Sequence, residues 1–288
     1  MTDTQNRPLT LPAPAKLNLF LHITGRRNDG YHNLETVFQF IDIEDTLIFE
    51  PLAEPRIELI DSDSDIAIAD NLVFRAAQRL VLECQQQHQP YFGVRITLDK
   101  RLPQGAGLGG GSSDAATTLV GLNHMWGYPF TTSQLLLIAA ELGADVPIFV
   151  HGHSAFATGI GDQFIDVEPD QHYYLVVKPQ VNISTAALFA DTRLKRDCKP
   201  LPPSQWHWQN TSNVFEPVVL KQYPAVAKLH AQLLNYGPTR LTGTGACLFT
   251  RFANQQQAIA AQAQLSLTES YVVQGQNRSS LIRTLTQI

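Results

Sequence analysis

The sequence has few cysteines and no long apolar run. Only Cys84, Cys198 and Cys247 occur among its 288 residues, and no two of them form a C-x-x-C pair. This spacing predicts neither a disulfide framework nor a zinc site. No apolar run approaches the roughly 18 residues that a membrane-spanning helix needs, and residues 1–11 lack the apolar core of a secretory signal. The sequence therefore predicts a cytoplasmic protein that makes no membrane contact.

Positive charge is also scarce. The chain has 21 Lys and Arg against 26 Asp and Glu, a net charge of -5, and no run of basic residues is longer than two. Because a nucleic-acid surface needs a basic patch, no nucleic-acid partner is expected. The composition is 44% hydrophobic, and a chain of this length can form one large or two medium domains with their own cores.

Glycine, by contrast, is concentrated in one segment, residues 103–118. Five of the seven positions from 105 to 111 are glycine, a residue that reaches positive φ and lets backbone approach a ligand closely. An alternating pattern over 94–98 predicts a strand before this segment, and a helix is expected over 113–126 with Ser112, Ser113 or Asp114 as N-cap. A flexible loop that leads into a helix N-terminus predicts a phosphate site rather than a mobile linker.

Two well-known phosphate loops do not fit this segment. Gly105 and Gly110 have the spacing of a Walker A loop, but Gly111 stands where the lysine belongs. Gly105, Gly107 and Gly110 also match G-x-G-x-x-G, yet no acidic residue follows at the end of a next strand about 20 residues on. A third type of phosphate loop is indicated.

The segment 103–113 resembles the second motif of the GHMP kinases, the ATP-dependent small-alcohol kinases named for galactose, homoserine, mevalonate and phosphomevalonate. Pro14-Ala-Lys-Leu-Asn-Leu-Phe-Leu resembles their N-terminal substrate strand, and Leu241-Thr-Gly-Thr-Gly-Ala-Cys-Leu-Phe resembles their C-terminal glycine motif. Further matches point to one branch of the family: Gly30-Tyr-His, Asp99-Lys-Arg-Leu-Pro and Gly143-Ala-Asp-Val-Pro. That branch phosphorylates the 2-hydroxyl of a cytidine diphosphate-linked methylerythritol.

The resemblance implies an α+β, two-domain GHMP kinase fold with the active site in the interdomain cleft. An ATP-binding domain is expected over 1–152, with 276–288 as a candidate to complete it, and a C-terminal domain over 153–275. The expected partner is a small-molecule substrate, and both a monomer and a homodimer remain open.

Asp145 and Lys16 are the predicted catalytic residues. Phosphoryl transfer to an alcohol needs a group that accepts the hydroxyl proton, and Asp145 matches the catalytic aspartate of the family. Lys16 lies on the polar face of an apolar strand, and the matching family lysine lies beside that aspartate. The residues alone leave two alternatives open: Asp145 as an Asx-turn residue, and Lys16 in a structural ion pair.

The resemblance implies further contacts with the two substrates. The expected ATP contacts are Asn71, Lys100, Pro103, Gln104, Gly105, Ala106, Gly107, Leu108, Gly109, Gly110, Gly111, Ser112 and Ser113. The expected contacts with the alcohol substrate are Asn18, Tyr31, His32, Thr185, Phe189, Thr242, Gly243, Thr244 and Gly245. Tyr31, His32 and Phe189 are assigned to the cytosine ring. Mg²⁺ is implied by the charge of the nucleotide, with Ser113 as the one candidate ligand.

Alternative readings apply to several of these residues. Asn71 also suits an N-cap, Phe189 a core position, and Lys100 a solvated strand end. Ala106 departs from the glycine common at that position in close relatives. Three other functions compete: a homoserine-type GHMP kinase, a nicotinamide-dependent oxidoreductase built on the G-x-G-x-x-G match, and a non-catalytic nucleotide sensor. The first lacks a ring to stack on Phe189, and a sensor has no need of both Lys16 and Asp145.

Overall fold

The computed structural model describes residues 7–61, 66–265, 267 and 269–288, and within them ten strands join one sheet. The strands are β1 (Leu9–Arg26), β2 (His32–Leu52), β3 (Ile57–Asp61), β4 (Gly93–Asp99), β5 (Ala155–Thr158), β6 (Gln163–Asp166), β7 (Tyr173–Val177), β8 (Thr239–Leu241), β9 (Leu248–Phe252) and β10 (Ser270–Gln276). The α-helices are α1 (Leu72–Gln86), α2 (Gly110–Met125), α3 (Thr132–Leu142), α4 (Val146–His151), α5 (Thr185–Ala190), α6 (Glu216–Gln222), α7 (Pro224–Leu233), α8 (Gln255–Gln264) and α9 (Ser280–Leu285). The α+β class is confirmed.

The long strand β2 organises the first half of the sheet. It pairs antiparallel with β1, β4 and β5, and β3 continues the sheet parallel to β4. Alternation in the sequence predicts two strands here, over 36–43 and 46–50, because Glu44 and Asp45 interrupt the apolar pattern. The structure has one continuous strand, since the buried carboxylate of Asp45 finds hydrogen-bond donors in the loop after β4.

The second half of the sheet is attached through β10. This strand pairs with β7 along one edge and meets β2 at Phe40 and Ile41 along the other. Beyond β7 follow β9 and β8, all antiparallel. The sheet therefore runs without interruption from one half of the chain to the other.

Three apolar cores stabilise this arrangement. The first packs α1 to α4 and Leu281 of α9 against the first half of the sheet, and the second packs α5 to α8 against the other half. The third lies where the halves join and includes Leu17 of β1, Ala106 and Leu108 of the glycine loop, and Cys247. The glycine loop is thus fixed between the two halves of the molecule. The three cysteines are free and buried.

The predicted helices are present, with small shifts at their ends. The apolar spacing over 71–87 predicts a helix, which is α1. The sequence also predicts a helix over 132–142 with Gly143 as C-cap, and this helix is α3, which ends there. The strand expected over 14–23 is longer in the structure, as β1 begins at Leu9 and ends at Arg26. The short helix α4, directly after Asp145, was not predicted from the sequence.

The division into 1–152 and 153–275 stays a prediction, and the strand pairing bears on its edges. β5 lies beyond residue 152 but pairs with Thr36–Phe38 of β2, and β6 pairs with β5. This hairpin therefore belongs to the sheet of the first half. Leu281 of the 276–288 segment is buried in the first core, which favours the expected completion of that half.

Candidate active site

Between β4 and α2 the backbone alternates between left-handed glycines and anchored apolar residues. Gly105, Gly107 and Gly109 have φ of +62°, +78° and +78°, a conformation that residues with a Cβ rarely adopt. Ala106 and Leu108 between them are buried in the third core. Ala106 does not have a positive φ, so its methyl packs inward without backbone strain.

α2 begins at Gly110, three residues earlier than predicted, and the expected N-caps are wrong. Its N-cap is Gly109, and no side chain among the described residues caps it. Ser112, Ser113 and Asp114 instead lie inside the helix, because the left-handed glycine turns the chain before they are reached. The uncapped amides of the first turn carry the positive end of the helix dipole, which favours an anion.

A cavity of about 340 Å³ opens beside this first turn. Its walls come from the loop, the start of α2, the end of β4 and the start of α1, and include Asn71, Lys100, Gln104, Gly105, Gly111 and Asp114. Asn71 lines this cavity and is also the N-cap of α1, because its Oδ1 accepts the N–H of Val73 at 2.9 Å. Pro103 is buried behind the loop. The cavity suits a nucleotide whose phosphates reach the helix N-terminus.

Two buried carboxyl groups hold the Lys100 ammonium at the wall of this cavity. Lys100 Nζ lies 2.5 Å from Asp45 Oδ2 and 2.7 Å from Asp114 Oδ2. Burial opposes the charge of Lys100, but the two carboxylates outweigh it and raise the pKa of its ammonium. Burial, with the Asp45 charge, raises the pKa of Asp114 to about 8, although Lys100 acts in the opposite direction. Asp114 Oδ1 has no hydrogen-bond partner among the described residues.

A second cavity, of about 320 Å³, lies across the loop from the first. Gly105 and Gly111 face the first cavity, whereas Gly107 and Ser112 face the second. The walls of the second cavity include Lys16, Asn18, Asp145, Thr185, Phe189 and Gly243. The structure therefore places both predicted catalytic residues in one cavity, with the glycine loop between it and the first cavity.

The Lys16 side chain is buried in the wall of this second cavity. Its Nζ lies 3.4 Å from Asp145 Oδ2, and the side chains are 2% and 43% exposed respectively. Lys16 Nζ also donates to Asn18 Oδ1 at 2.6 Å and to the Gly107 carbonyl oxygen at 3.2 Å. Asp145 precedes α4, but its side chain makes no capping hydrogen bond. Its carboxylate is therefore turned to the cavity, with a fixed cation behind it.

The three sequence motifs meet around Asn18. Its backbone N–H donates to Thr242 Oγ1 at 3.0 Å, and its Nδ2 donates to Thr36 Oγ1 at 2.9 Å. Thr242 Oγ1 in turn donates to the Gly107 carbonyl at 3.4 Å. Thr242 is fully buried, and its hydroxyl joins β1 and the glycine loop, so its contact with substrate stays a prediction.

The remaining residues of the C-terminal glycine motif differ in whether they reach the second cavity. Gly243 and Thr244 line the second cavity, whereas Gly245 is buried behind it. Thr244 Oγ1 lies 2.8 Å from Thr185 Oγ1, which brings two predicted substrate residues together at the cavity wall.

The predicted cytosine site is assembled in part. The Phe189 ring stacks on His32, with centroids 5.1 Å apart and planes 28° from parallel, and the edge of Phe215 supports it at 4.9 Å. Tyr31 lies on the preceding turn, 62% exposed, and makes no ring contact with a described residue. The structure thus brings His32 to Phe189, and the role of Tyr31 stays a prediction.

Ser113 is not placed to bind a metal ion. Its hydroxyl is fully buried and donates to the Pro14 carbonyl at 2.7 Å, because α2 packs against β1 on that side. Ser112, one position earlier, faces the second cavity with Asp145. No group of three metal-binding side chains occurs among the described residues. These residues fit a Mg²⁺ ion held mainly by nucleotide phosphates, as is usual for this ion.

Two residues that hold the site together were missed by the sequence analysis. Asn213 Nδ2 donates to the carbonyls of Leu241 and Gly243, each at 2.8 Å, and so fixes the glycine turn. Arg196 Nε donates to His32 Nε2 at 3.3 Å. Asn213 precedes a helix with a proline in its first turn, a pattern of a helix start, but nothing in the sequence indicates its long-range partners.

None of the described helices is long and apolar enough to cross a membrane.

Comparison with known proteins gives a consistent result. The family model described as GHMP kinases N terminal domain matches residues 71–153, and the one described as GHMP kinases C terminal matches residues 203–269. A 4-diphosphocytidyl-2-C-methyl-D-erythritol kinase of Idiomarina loihiensis is 56% identical over 97% of this chain and 98% of the relative. The protein of the same name from Colwellia psychrerythraea is 46% identical over 98% and 95% of the two chains.

Solved structures agree with these relatives. A crystal structure of 4-(cytidine 5'-diphospho)-2C-methyl-D-erythritol kinase matches 93% of this chain and 99% of that one, with 29% identity and a TM-score of 0.79. Homoserine kinase from Cytophaga hutchinsonii matches 95% and 96% of the two chains with a TM-score of 0.65. Its 15% identity shows a shared fold and no more.

Proposed function

The chain belongs to the 4-diphosphocytidyl-2-C-methyl-D-erythritol kinases of the GHMP kinase family, and we propose that its phosphoryl transfer takes place at the Lys16–Asp145 pair. The reaction moves the γ-phosphate of ATP to the 2-hydroxyl of the cytidine-linked methylerythritol. The observation that carries this proposal is the 3.4 Å contact between Lys16 Nζ and Asp145 Oδ2, in a cavity that shares the glycine loop as a wall with the proposed nucleotide cavity.

Asp145 is the proton acceptor in this proposal. The 2-hydroxyl oxygen attacks the γ-phosphorus, the bond to the β-phosphate oxygen breaks, ADP leaves, and the hydroxyl proton passes to the Asp145 carboxylate. Lys16 holds that carboxylate in place and lies near the negative charge that develops during transfer. Three partners, Asn18, Gly107 and Asp145, hold Lys16 Nζ in place before the reaction begins. The ammonium therefore does not have to be reoriented during transfer.

The glycine loop and α2 bind the triphosphate. The uncapped first turn of α2 offers backbone N–H groups and a dipole of the right sign. Lys100 adds a cation at the wall of the same cavity. ATP is the donor, and Mg²⁺ would be held by the phosphates, with the Ser112 hydroxyl as the candidate protein ligand in the wall shared with Asp145. When bound, the ion neutralises phosphate charge.

Recognition of the cytidine end supports transfer at the other end of the substrate. Phe189 offers a ring face and His32 a hydrogen-bonding edge beside the catalytic cavity. Binding energy from a remote part of a substrate orients the reacting hydroxyl and so raises the rate of transfer. A cytoplasmic location fits this function, because ATP is available there and the three cysteines are free.

The proposal is tested by ADP release with a panel of alcohols. We expect phosphorylation of the cytidine-linked methylerythritol, and very poor phosphorylation of methylerythritol 4-phosphate, homoserine and mevalonate. Equal kcat/KM for the complete and the truncated alcohol would contradict a cytidine site and favour another small-alcohol kinase. NADH formation measured by absorbance in the same samples would instead favour the oxidoreductase alternative.

A further inference from the structure

His32 is held by a partner that can only donate. Arg196 Nε lies 3.3 Å from His32 Nε2. A guanidinium has five N–H donors and no acceptor, and it keeps its proton at any physiological pH. His32 Nε2 must therefore contribute a lone pair to this contact. In a neutral imidazole the proton then lies on Nδ1.

The guanidinium of Arg196 is itself fixed. Its Nη2 donates to the carbonyl oxygens of Phe189 and Asp191, each at 2.7 Å, and its Nη1 donates to that of Leu194 at 3.0 Å. These carbonyls belong to the end of α5 and the turn after it. Arg196 cannot rotate away from His32 without giving up these three hydrogen bonds. Arg196 thereby connects the two residues that we expect to contact the cytosine ring: His32 at the edge of the ring and Phe189 on its face.

The surroundings of His32 also keep its ring neutral. Partial burial lowers the pKa of His32, and the guanidiniums of Arg196 and Arg26 lower it further. A second ring proton would have to lie on Nε2, against the N–H of Arg196. No hydrogen bond is made by His32 Nδ1 to another described residue. That N–H is free to meet a ligand.

We propose that Arg196 is a positioning residue that fixes His32 as an Nδ1–H donor and thereby makes the site select cytosine over uracil. The proposal rests on the proposed function, since it concerns the cytidine end of that substrate. Cytosine N3 carries a lone pair, which a ring N–H can meet. Uracil N3 carries a proton, which would oppose the same N–H and leave two donors facing each other. A site whose hydrogen-bond donor is fixed in place favours the base that offers an acceptor over the base that offers a second donor.

Arg196 has a simpler competing role, which is to hold the turn after α5 in place. In that role, the loss of Arg196 would loosen Phe189 and lower kcat/KM for the cytidine and uridine substrates by the same factor. Selection through His32 predicts a change in the ratio of the two. The two roles therefore separate on substrate preference rather than on overall activity.

The first test is a direct measurement on the unmodified protein. In ¹⁵N NMR of histidine-labelled enzyme at neutral pH, a neutral ring protonated at Nδ1 differs from the other tautomer in the shifts of both nitrogens. We expect His32, assigned by its loss in His32→Asn, to be protonated at Nδ1. A ring protonated at Nε2 would overturn the proposal, whatever the activity of any variant.

The second test compares kcat/KM for the cytidine-linked alcohol and its uridine analogue. In Arg196→Met we expect the preference for cytidine to fall at least about tenfold while the KM for ATP is unchanged, and in Arg196→Lys we expect a smaller fall. Arg193→Ala, in the same turn but without contact to His32, should keep the preference of the wild type. In a His32→Asn background, adding Arg196→Met should change the preference no further.

Parallel losses for both substrates in Arg196→Met, or an undiminished effect in the His32→Asn background, would show that Arg196 only holds the turn. If Arg196→Met does not fold, Arg196→Lys and the NMR measurement still decide the question. Wild-type enzyme that phosphorylates neither alcohol would instead contradict the proposed function, and the His32 tautomer would still be measurable on its own.

Discussion

The Lys16 ammonium donates a hydrogen bond to the carbonyl oxygen of Gly107 over 3.2 Å. This hydrogen bond connects Lys16, in the wall of the catalytic cavity, to the middle of the glycine loop. The next loop residue extends the connection, because the N–H of Lys16 donates to the Leu108 carbonyl at 3.0 Å. Lys16 therefore connects Asp145 to the loop at which we propose the triphosphate binds, so a shift of the loop should displace both groups.

Two glycines of this unit should respond differently to valine. At Gly109, where φ is +78°, a Cβ would lie 2.7 Å from Phe149 Cζ and 3.2 Å from Lys16 Cε. Gly109→Val should therefore lower the free energy of unfolding by about 1–3 kcal/mol or more through overpacking and backbone strain, measured by urea denaturation.

At Gly111 a Cβ would meet only Leu72 Cδ1, at 3.7 Å, and the residue lies in a helical turn at the wall of the nucleotide cavity. Gly111→Val should therefore fold normally and bind ATP at least about tenfold more weakly, since its side chain fills space beside the helix N-terminus. The ATP affinity of Gly111→Ala should lie between those of the wild type and Gly111→Val. Native ATP affinity of a folded Gly111→Val, by calorimetry, would mean that the nucleotide lies elsewhere.

Because of Asp114, the free energy of unfolding should fall as the pH rises. Burial raises the pKa of Asp114 in the folded protein to about 8 from its ordinary value of 3.8, so between these values the unfolded chain has released a proton that the folded chain keeps. Stability then falls as pH rises through this window. The cause is that Asp45 already balances Lys100, and burial leaves the Asp114 charge without compensation.

Asp114→Asn should accordingly differ little from the wild type in unfolding free energy near pH 4, and be more stable near pH 9. Asp45→Asn is the matched control. Asp45 accepts hydrogen bonds from the N–H groups of Arg101 and Leu102 as well as from Lys100, so its replacement should cost stability at both pH values. An Asp114→Asn protein less stable than the wild type near pH 9 would refute the raised pKa.

Phe189 should matter for its ring face. Stacking on a base contributes about 1–3 kcal/mol, so Phe189→Ala should lower kcat/KM for the complete substrate by roughly tenfold or more. Phe189→Leu keeps apolar volume against Phe215 but has no ring to stack, and should lose a similar factor. Both variants should keep the KM for ATP. A Leu variant as active as the wild type would assign Phe189 to the core alone.

Much of the site could be predicted from local sequence because its residues belong to compact motifs. The spacing of glycines over 105–111 indicated a phosphate loop, and the polar positions of an apolar strand singled out Lys16 and Asn18. The structure confirms that these lie together with Asp145. The helix start was misplaced because serine and aspartate are good N-caps in general, whereas here a left-handed glycine ends the loop first.

What the sequence could not provide depends on partners distant along the chain. Ser113 looked like a metal ligand, but the packing of α2 on β1 turns it to Pro14. The sequence also gave no sign that β1 approaches Thr242 closely enough to bury its hydroxyl. Asn213 and Arg196 gave no signal because their importance lies in carbonyls and ring nitrogens that only the tertiary fold brings near.

The central claim, that Asp145 accepts the hydroxyl proton, is tested most directly by Asp145→Asn. The amide keeps the size of the side chain and cannot accept that proton, so kcat should fall about 10²-fold or more, while the dissociation constant of ATP by calorimetry changes little. Asp197→Asn, at an exposed position outside both cavities, should leave kcat unchanged. A kcat for Asp145→Asn close to that of the wild type, with the complete substrate and saturating ATP, would contradict the account.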